Sequence, residues 1–249
     1  MVDAYTQLLL HMTGPHGSQT FVDSSQYARA VTAVNHAQID ANQVIFADGC
    51  LLLDGDDYLF LEDDPGWTFG TGDFTVELRL RYSTVNNSVF LAQYGDGNNT
   101  WYIAKNLSDK LYIYCVDGMV VRGYYLMTNS WSPAPVPGTS YHIVFERYGA
   151  GALIFIDGMS QPVTTNTPFG NLGDIAGRLY VGGRGPTGYN ITGREDEVRI
   201  SKGIARWITD FTPPTTEYGW AHKIMGISNA SISKINGIQK VNIAKVLGV

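Results

Sequence analysis

Residues 73–82 read Asp-Phe-Thr-Val-Glu-Leu-Arg-Leu-Arg-Tyr, an alternation that constrains the chain more than any other feature. Phe74, Val76, Leu78 and Leu80 fall on one side of an extended backbone; Thr75, Glu77, Arg79 and Arg81 fall on the other. Strand side chains alternate between faces, so this is a half-buried strand; at helical spacing the same residues would scatter round the cylinder. Two hairpins are expected. Residues 111–116 meet 119–121 across Asp117-Gly118, and residues 152–156 turn at Asp157-Gly158 before Met159. Asp-Gly suits a two-residue turn whose positions both need positive φ. Further strands are predicted at 7–12, 44–46, 50–53, 58–61, 88–93, 101–105, 141–147, 178–181 and 197–200, with one helical turn over 202–207. Short strands joined by turn chemistry predict an all-β chain: a two-sheet antiparallel sandwich.

Charge is unevenly spread. The net formal charge is −6, yet Lys223, Lys234, Lys240 and Lys245 fall in a C-terminal stretch that holds no Asp or Glu. The body is therefore acidic, which argues against nucleic-acid binding. Cys50 and Cys115 lie in apolar runs and read as small core residues; two cysteines give no disulfide framework. The N-terminus lacks a basic n-region and a long apolar core, so no secretory signal is expected. No stretch reaches the length of a membrane helix. Synthesis in a cytoplasm without membrane insertion is the expectation.

After Pro213-Pro214 an 11-residue repeat begins. Lys223-Ile224-Met225-Gly226-Ile227 is followed by Lys234-Ile235-Asn236-Gly237-Ile238, then by the truncated Lys245-Val246-Leu247-Gly248-Val249. A glycine in every copy, with Ser, Asn and β-branched residues, makes a helix weak. Short strands turning at Gly226, Asn236-Gly237 and Gly248 fit better. Such a segment closes no core alone and must dock on something. The division expected is a sandwich over 1–216 and a tail over 217–249. Ile224, Ile227, Ile232, Ile235, Ile238, Val241, Ile243 and Val246 are the candidate attachment or oligomerisation residues.

Longer motifs resemble a known family. Residues 8–25 (Leu-Leu-Leu-His-Met-Thr-Gly … Phe-Val-Asp-Ser-Ser) are similar to the opening of laminin-G-like, concanavalin-A-like jelly rolls of bacteriophage and bacterial surface proteins. Leu53-Asp54-Gly55-Asp56-Asp57-Tyr58-Leu59 and residues 69–77 (Phe-Gly-Thr-Gly-Asp-Phe-Thr-Val-Glu) resemble its central motifs. Residues 195–207 (Glu-Asp-Glu-Val-Arg-Ile-Ser-Lys-Gly-Ile-Ala-Arg-Trp) and Asp210-Phe211-Thr212-Pro213-Pro214 match its closing signature, except that Glu195 stands where the family carries Ile. The tail resembles C-terminal segments of tailed-phage structural proteins. These resemblances imply a jelly-roll virion component made in the host cytoplasm, with other virion proteins as partners. Two roles compete: a tail-fibre or receptor-binding adhesin that contacts host-surface glycan, or a capsid decoration protein. A cellular lectin or glycan-degrading enzyme is a third. Gly-punctuated strands that borrow pairing partners from sister chains imply a homotrimer or another symmetric oligomer.

Catalysis is not expected. Some glucan-cleaving enzymes of this fold align acids at i, i+2 and i+4 of one strand. Glu195 and Glu197 meet the first two positions, but the third is Arg199, and paired carboxylates need defined separations. Pairing of these acids with Arg194, Arg199 or Arg206 is the structural expectation. His11, His16, His36, His142 and His222 show no metal-ligand spacing, and the glycine clusters at 70–72 and 182–185 read as turns. No cofactor is expected. A structural calcium ion would draw on Asp23 and Asp196, although Asp23-Ser24-Ser25 equally makes an Asx-turn. Sugar sites combine aromatic platforms with amide or carboxylate partners. Asn99, Trp101 and Tyr102, then Trp131, then Tyr189 and Asn190 are the candidates, with Tyr124-Tyr125 of the same type. An inward placement would instead make Trp101 or Tyr124 core. Trp67 and Trp207 read as core.

Overall fold

The computed structural model describes residues 3–46 and 48–218, and beyond them the backbone of residues 234–235 and 238–239. The first sheet holds β1 (Thr6–Leu10), β3 (Gln38–Ile39), β4 (Leu51–Asp54), β6 (Phe74–Thr84), β11 (Ser140–Tyr148), β12 (Gly151–Ile156), β13 (Met159–Gln161) and β16 (Thr192–Lys202). The second holds β2 (Thr32–Val34), β5 (Tyr58–Leu61), β7 (Ser88–Asp96), β8 (Asn99–Lys105), β9 (Leu111–Asp117), β10 (Val120–Met127), β14 (Val163–Thr167) and β15 (Arg178–Val181). The first runs β13-β12-β11-β6-β16-β4-β3, with β1 also paired to β16; the second runs β14-β10-β9-β8-β7-β15-β5-β2. Every named pairing is antiparallel. The result is the two-sheet sandwich that the alternation predicts, of the jelly-roll type that the resemblance implies.

The core lies between the sheets. Phe74, Val76, Leu78, Leu80 and Tyr82 of β6 are all buried there, opposite Trp101, Ile103, Leu111, Ile113 and Cys115 of the second sheet. Each such side chain contributes roughly 1.5–3 kcal/mol when fully buried. Cys50 and Cys115 are free and buried. The other face of β6 departs from expectation, because Thr75 and Glu77 are buried too. Residues 203–218 run as an irregular strap across that outer face. The Arg206 and Trp207 amides donate to the Glu146 carboxylate, Arg79 donates to the Pro214 carbonyl, and Trp207 stacks on Phe211 at 4.3 Å. Half-buried Trp207 thus belongs to the strap rather than to the core between the sheets.

Other expectations shift by small amounts. No helix forms at 202–207, since those backbone donors serve side chains of the sheet instead. Short 3-10 turns occur at Pro65–Trp67 and Gly185–Thr187. Residues 44–46 form no strand beyond one bridge from Phe46 to Gly49. The β9–β10 turn is Gly118-Met119, one residue later than predicted, because Asp117 pairs with Val120. Asp157-Gly158 turns as expected, with φ of 50° and 79°.

In the tail, Lys234–Ile235 pairs antiparallel with Ile238–Gln239, flanking Asn236-Gly237. Ile224, Ile227, Ile232, Val241, Ile243 and Val246 lie outside the described residues. Among the described residues no helix is long and apolar enough to cross a membrane.

Candidate functional site

The acids of β16 are split by a bulge. Asp196 pairs with Arg79 and Arg199 with Glu77, so two residues, Glu197 and Val198, oppose Leu78 alone. Glu197 takes a φ of 49°, the left-handed conformation that marks such an insertion. Glu195 points inward between Leu51 and Leu80, fully buried, and neither carboxylate oxygen has a hydrogen-bond partner among the described residues. Burial alone pushes its pKa well above the ordinary value. Glu197 faces outward instead, meeting His11 Nδ1 at 2.5 Å and accepting from the Tyr218 amide. The i, i+2 acids therefore lie on opposite faces.

The expected arginine pairings are also corrected. Arg194 pairs with Asp40, Arg199 with Glu77 and Arg206 with Asp3. Among the described residues, none of the β16 acids forms an ion pair with those guanidinium groups. Glu77 further accepts from Tyr218 Oη at 2.6 Å and lies 3.2 Å from His142 Nε2. Burial works against its charge, but Arg199 and His142 outweigh it and hold the carboxyl below its usual value. Glu146 and Asp196 go the other way, raised by burial to about 7 and about 9. This polar layer fastens the strap.

The predicted aromatic residues separate by strand parity. Trp101 is 1% exposed in the core, its indole N–H donating to Gln93 Oε1 at 3.0 Å, because it shares an inward face with Ile103. Trp131 is also core, edge-on to Tyr141 at 4.7 Å. Asn99 serves a turn, donating to Asp96 and accepting from the Gly118 amide. Asn190 is buried against Gly183 and also borders a cleft of about 430 Å³ with Asn35, Asp56, Tyr58 and Pro186. Tyr125 is buried. Tyr102, Tyr124 and Tyr189 remain on the surface.

Those three belong to a larger array that sequence reasoning did not assemble. Inward placement of Leu111, Ile113 and Cys115 forces Tyr112 and Tyr114 outward on β9. Tyr102 of β8, Tyr114 of β9 and Tyr124 of β10 are direct cross-strand partners, with ring centroids 5.5 Å apart at each step. Tyr112 completes the panel, 5.8 Å from Tyr102 and 6.3 Å from Tyr124. The small side chains of Val89, Ala92 and Ala104 floor it. Burial, aided by Tyr112, pushes the Tyr102 hydroxyl upward, so it stays a neutral donor. At one side the loop following β15 brings Arg184 within 5.8 Å of the Tyr102 ring, 5.2 Å of Tyr94 and 5.1 Å of exposed Tyr189. Aromatic faces, hydroxyls and one guanidinium on a firm sheet can stack on and hydrogen-bond a flat polar ligand.

Metal candidates rearrange as well. Asp23 accepts from the amides of Leu9, Ser25 and Arg29 and from the Ser25 hydroxyl, the Asx-turn alternative. Asp196 is buried beside the bulge, accepting from the Glu197 amide. The residues that converge are instead exposed His36, Asp54 and Asp56 with buried Asp57, whose ligand atoms lie within 4.8 Å of one another.

Residues 53–205 match the family model described as the concanavalin A-like lectin/glucanases superfamily. No curated protein sequence matches the chain. Among solved structures, the binding domain of Paraclostridial Mosquitocidal Protein 1 is similar, with a TM-score of 0.60 at 13% identity, over 82% of this chain and 51% of that one. Domain 4 of AbnA, a GH43 extracellular arabinanase from Geobacillus stearothermophilus in complex with arabinotriose, gives 0.56 at 16% identity, over 79% and 94%. The botulinum neurotoxin serotype D ligand-binding domain in complex with N-acetylneuraminic acid gives 0.57 at 11% identity, over 81% and 48%. The chain thus spans about half the length of the two toxin domains. At these identities the likeness is one of fold.

Proposed function

This chain belongs to the concanavalin A-like lectin/glucanases superfamily, and from that premise we propose that it is a non-catalytic carbohydrate-binding domain of a bacteriophage virion. The outer tyrosine face of the second sheet is its glycan platform. The observation that carries this reading is the cross-strand row Tyr102–Tyr114–Tyr124, held outward on three adjacent strands. Similar structures named for receptor binding, or holding arabinotriose or N-acetylneuraminic acid, support a binding role over a catalytic one. The lysine-rich repeat and the resemblance of the tail support attachment to other virion proteins, with homotrimerisation through the tail. On this reading the protein is a tail-fibre or receptor-binding adhesin. The capsid-decoration alternative draws on the same tail and treats glycan contact as incidental.

Glycan-array screening followed by calorimetry tests the platform. Each stacked ring is worth about 0.5–1.5 kcal/mol, so Tyr114→Ala should weaken binding roughly two- to tenfold with the fold intact. Indifference of every retained glycan to Tyr102→Ala, Tyr114→Ala and Tyr124→Ala would sink the assignment. Cryo-electron microscopy of particles separates adhesin from decoration by location.

A further inference from the structure

Arg184 combines two features: it has no carboxylate partner among the described residues, and three tyrosine rings surround its guanidinium. In an acidic chain with net charge −6, Arg29, Arg178, Arg194, Arg199 and Arg206 each pair with a carboxylate. Among the described residues Arg79, Arg81, Arg122 and Arg147 form no ion pair either: Arg79 donates to the Pro214 carbonyl, Arg81 to those of Gln43 and Val44 and Arg147 to those of Gly70, Gly149 and Gly170, while the Arg122 Nε is buried without a partner. Arg184 forms no ion pair among the described residues. Its Nε donates to Thr187 Oγ1 at 3.0 Å, and neither terminal nitrogen has a protein acceptor there. Tyr94, Tyr102 and Tyr189 flank the group at 5.1–5.8 Å. Outward positions beside it, such as Ala92, Tyr102 and Tyr112, carry no acid.

A half-buried guanidinium anchored by Nε, flanked by rings and left with two parallel donors, has the geometry of a bidentate carboxylate receptor. We propose that Arg184 makes the tyrosine platform selective for sugars bearing a carboxylate, as uronic or sialic acids do. This rests on the platform reading and adds its ligand class: the sugar ring packs on the tyrosines while its carboxylate takes the two Nη donors. Tyr94 and Tyr189 act as positioning residues, holding the guanidinium over the edge of the panel.

The experiment compares binding of oligogalacturonides, their carboxyl-reduced counterparts, sialyllactose, lactose and a sulfated oligosaccharide without carboxylates to the full chain, to Arg184→Gln, to Arg184→Lys and to Tyr114→Ala. Melting temperatures control for folding. At least one carboxylated ligand should bind tenfold or more tightly than its neutral counterpart (carboxyl-reduced, or desialylated lactose). That margin should vanish in Arg184→Gln, shrink in Arg184→Lys and narrow with added salt. Which acid binds better tells uronate from sialate. Equal binding of acidic and neutral forms, both weakened by Tyr114→Ala, would overturn the carboxylate assignment and leave the platform standing. Preference for the sulfated probe would overturn it as well. Retention of no probe by any variant would remove the platform and the assignment together.

Discussion

Glu195→Leu is expected to stabilise the sandwich, and to do so more strongly as the pH rises. The carboxyl sits fully buried between Leu51 and Leu80 without a hydrogen-bond partner among the described residues, and burial holds its pKa well above the ordinary 4.5. An unsatisfied buried polar group costs about 1–3 kcal/mol even when neutral. A second cost is added by proton linkage. Below the ordinary carboxyl value both folded and unfolded chains are protonated and the term is absent. Above it the unfolded chain releases a proton that the folded chain keeps, so stability falls by about 1.4 kcal/mol per pH unit until the folded pKa is reached. The advantage of Glu195→Leu should thus be about 1–3 kcal/mol near pH 4.5 and grow as the pH is raised to 5.5 and 6.5. Glu195→Gln should remove the slope but keep the unsatisfied amide. Urea unfolding of the three proteins at those pH values reads both terms. Parallel stability curves, or a leucine variant less stable than the parent at pH 6.5, would refute the reasoning.

Glu146, raised by burial to about 7, should contribute a loss on the order of 3 kcal/mol as pH climbs from 4.5 to 7; Glu146→Gln should remove that share of the fall and leave the shares of Glu195 and Asp196, checked by urea titration. Trp101→Ala should cost about 3–5 kcal/mol, visible as a lowered denaturant midpoint, whereas Tyr114→Ala should cost far less. Removal of residues 220–249 should leave a soluble domain with an unchanged melting curve that no longer enters particles; normal incorporation would overturn the attachment role of the tail.

Strand positions were readable where one face alone meets apolar neighbours. Residues 58–61 and 178–181 have the predicted bounds, and the inward set of β6 matches its alternation. Parity along one strand also held the information that places Trp101 inward with Ile103, and Tyr112 and Tyr114 outward from Leu111, Ile113 and Cys115. That signal is silent about what covers the outer face. Thr75, Glu77 and Glu146 look solvent-facing yet lie beneath a strap some 60 to 140 residues distant in sequence. Parity also fails across an inserted residue, which is why Glu195 and Glu197 seemed to share a face. The tyrosine array needed the cross-strand register, since its members come from three strands and a loop.

That inserted residue makes β16 unequally tolerant of length change. Excising Glu197 would rejoin Asp196 to Val198 with both halves still in phase, Asp196 beside Arg79 and Arg199 beside Glu77. Excising Arg199 would instead close the bulge with Glu197 opposite Leu78, turning a charged side chain into the core in place of Val198. The register of β16 therefore survives a one-residue loss at the bulge, while the contacts of Glu197 with His11 and the Tyr218 amide do not.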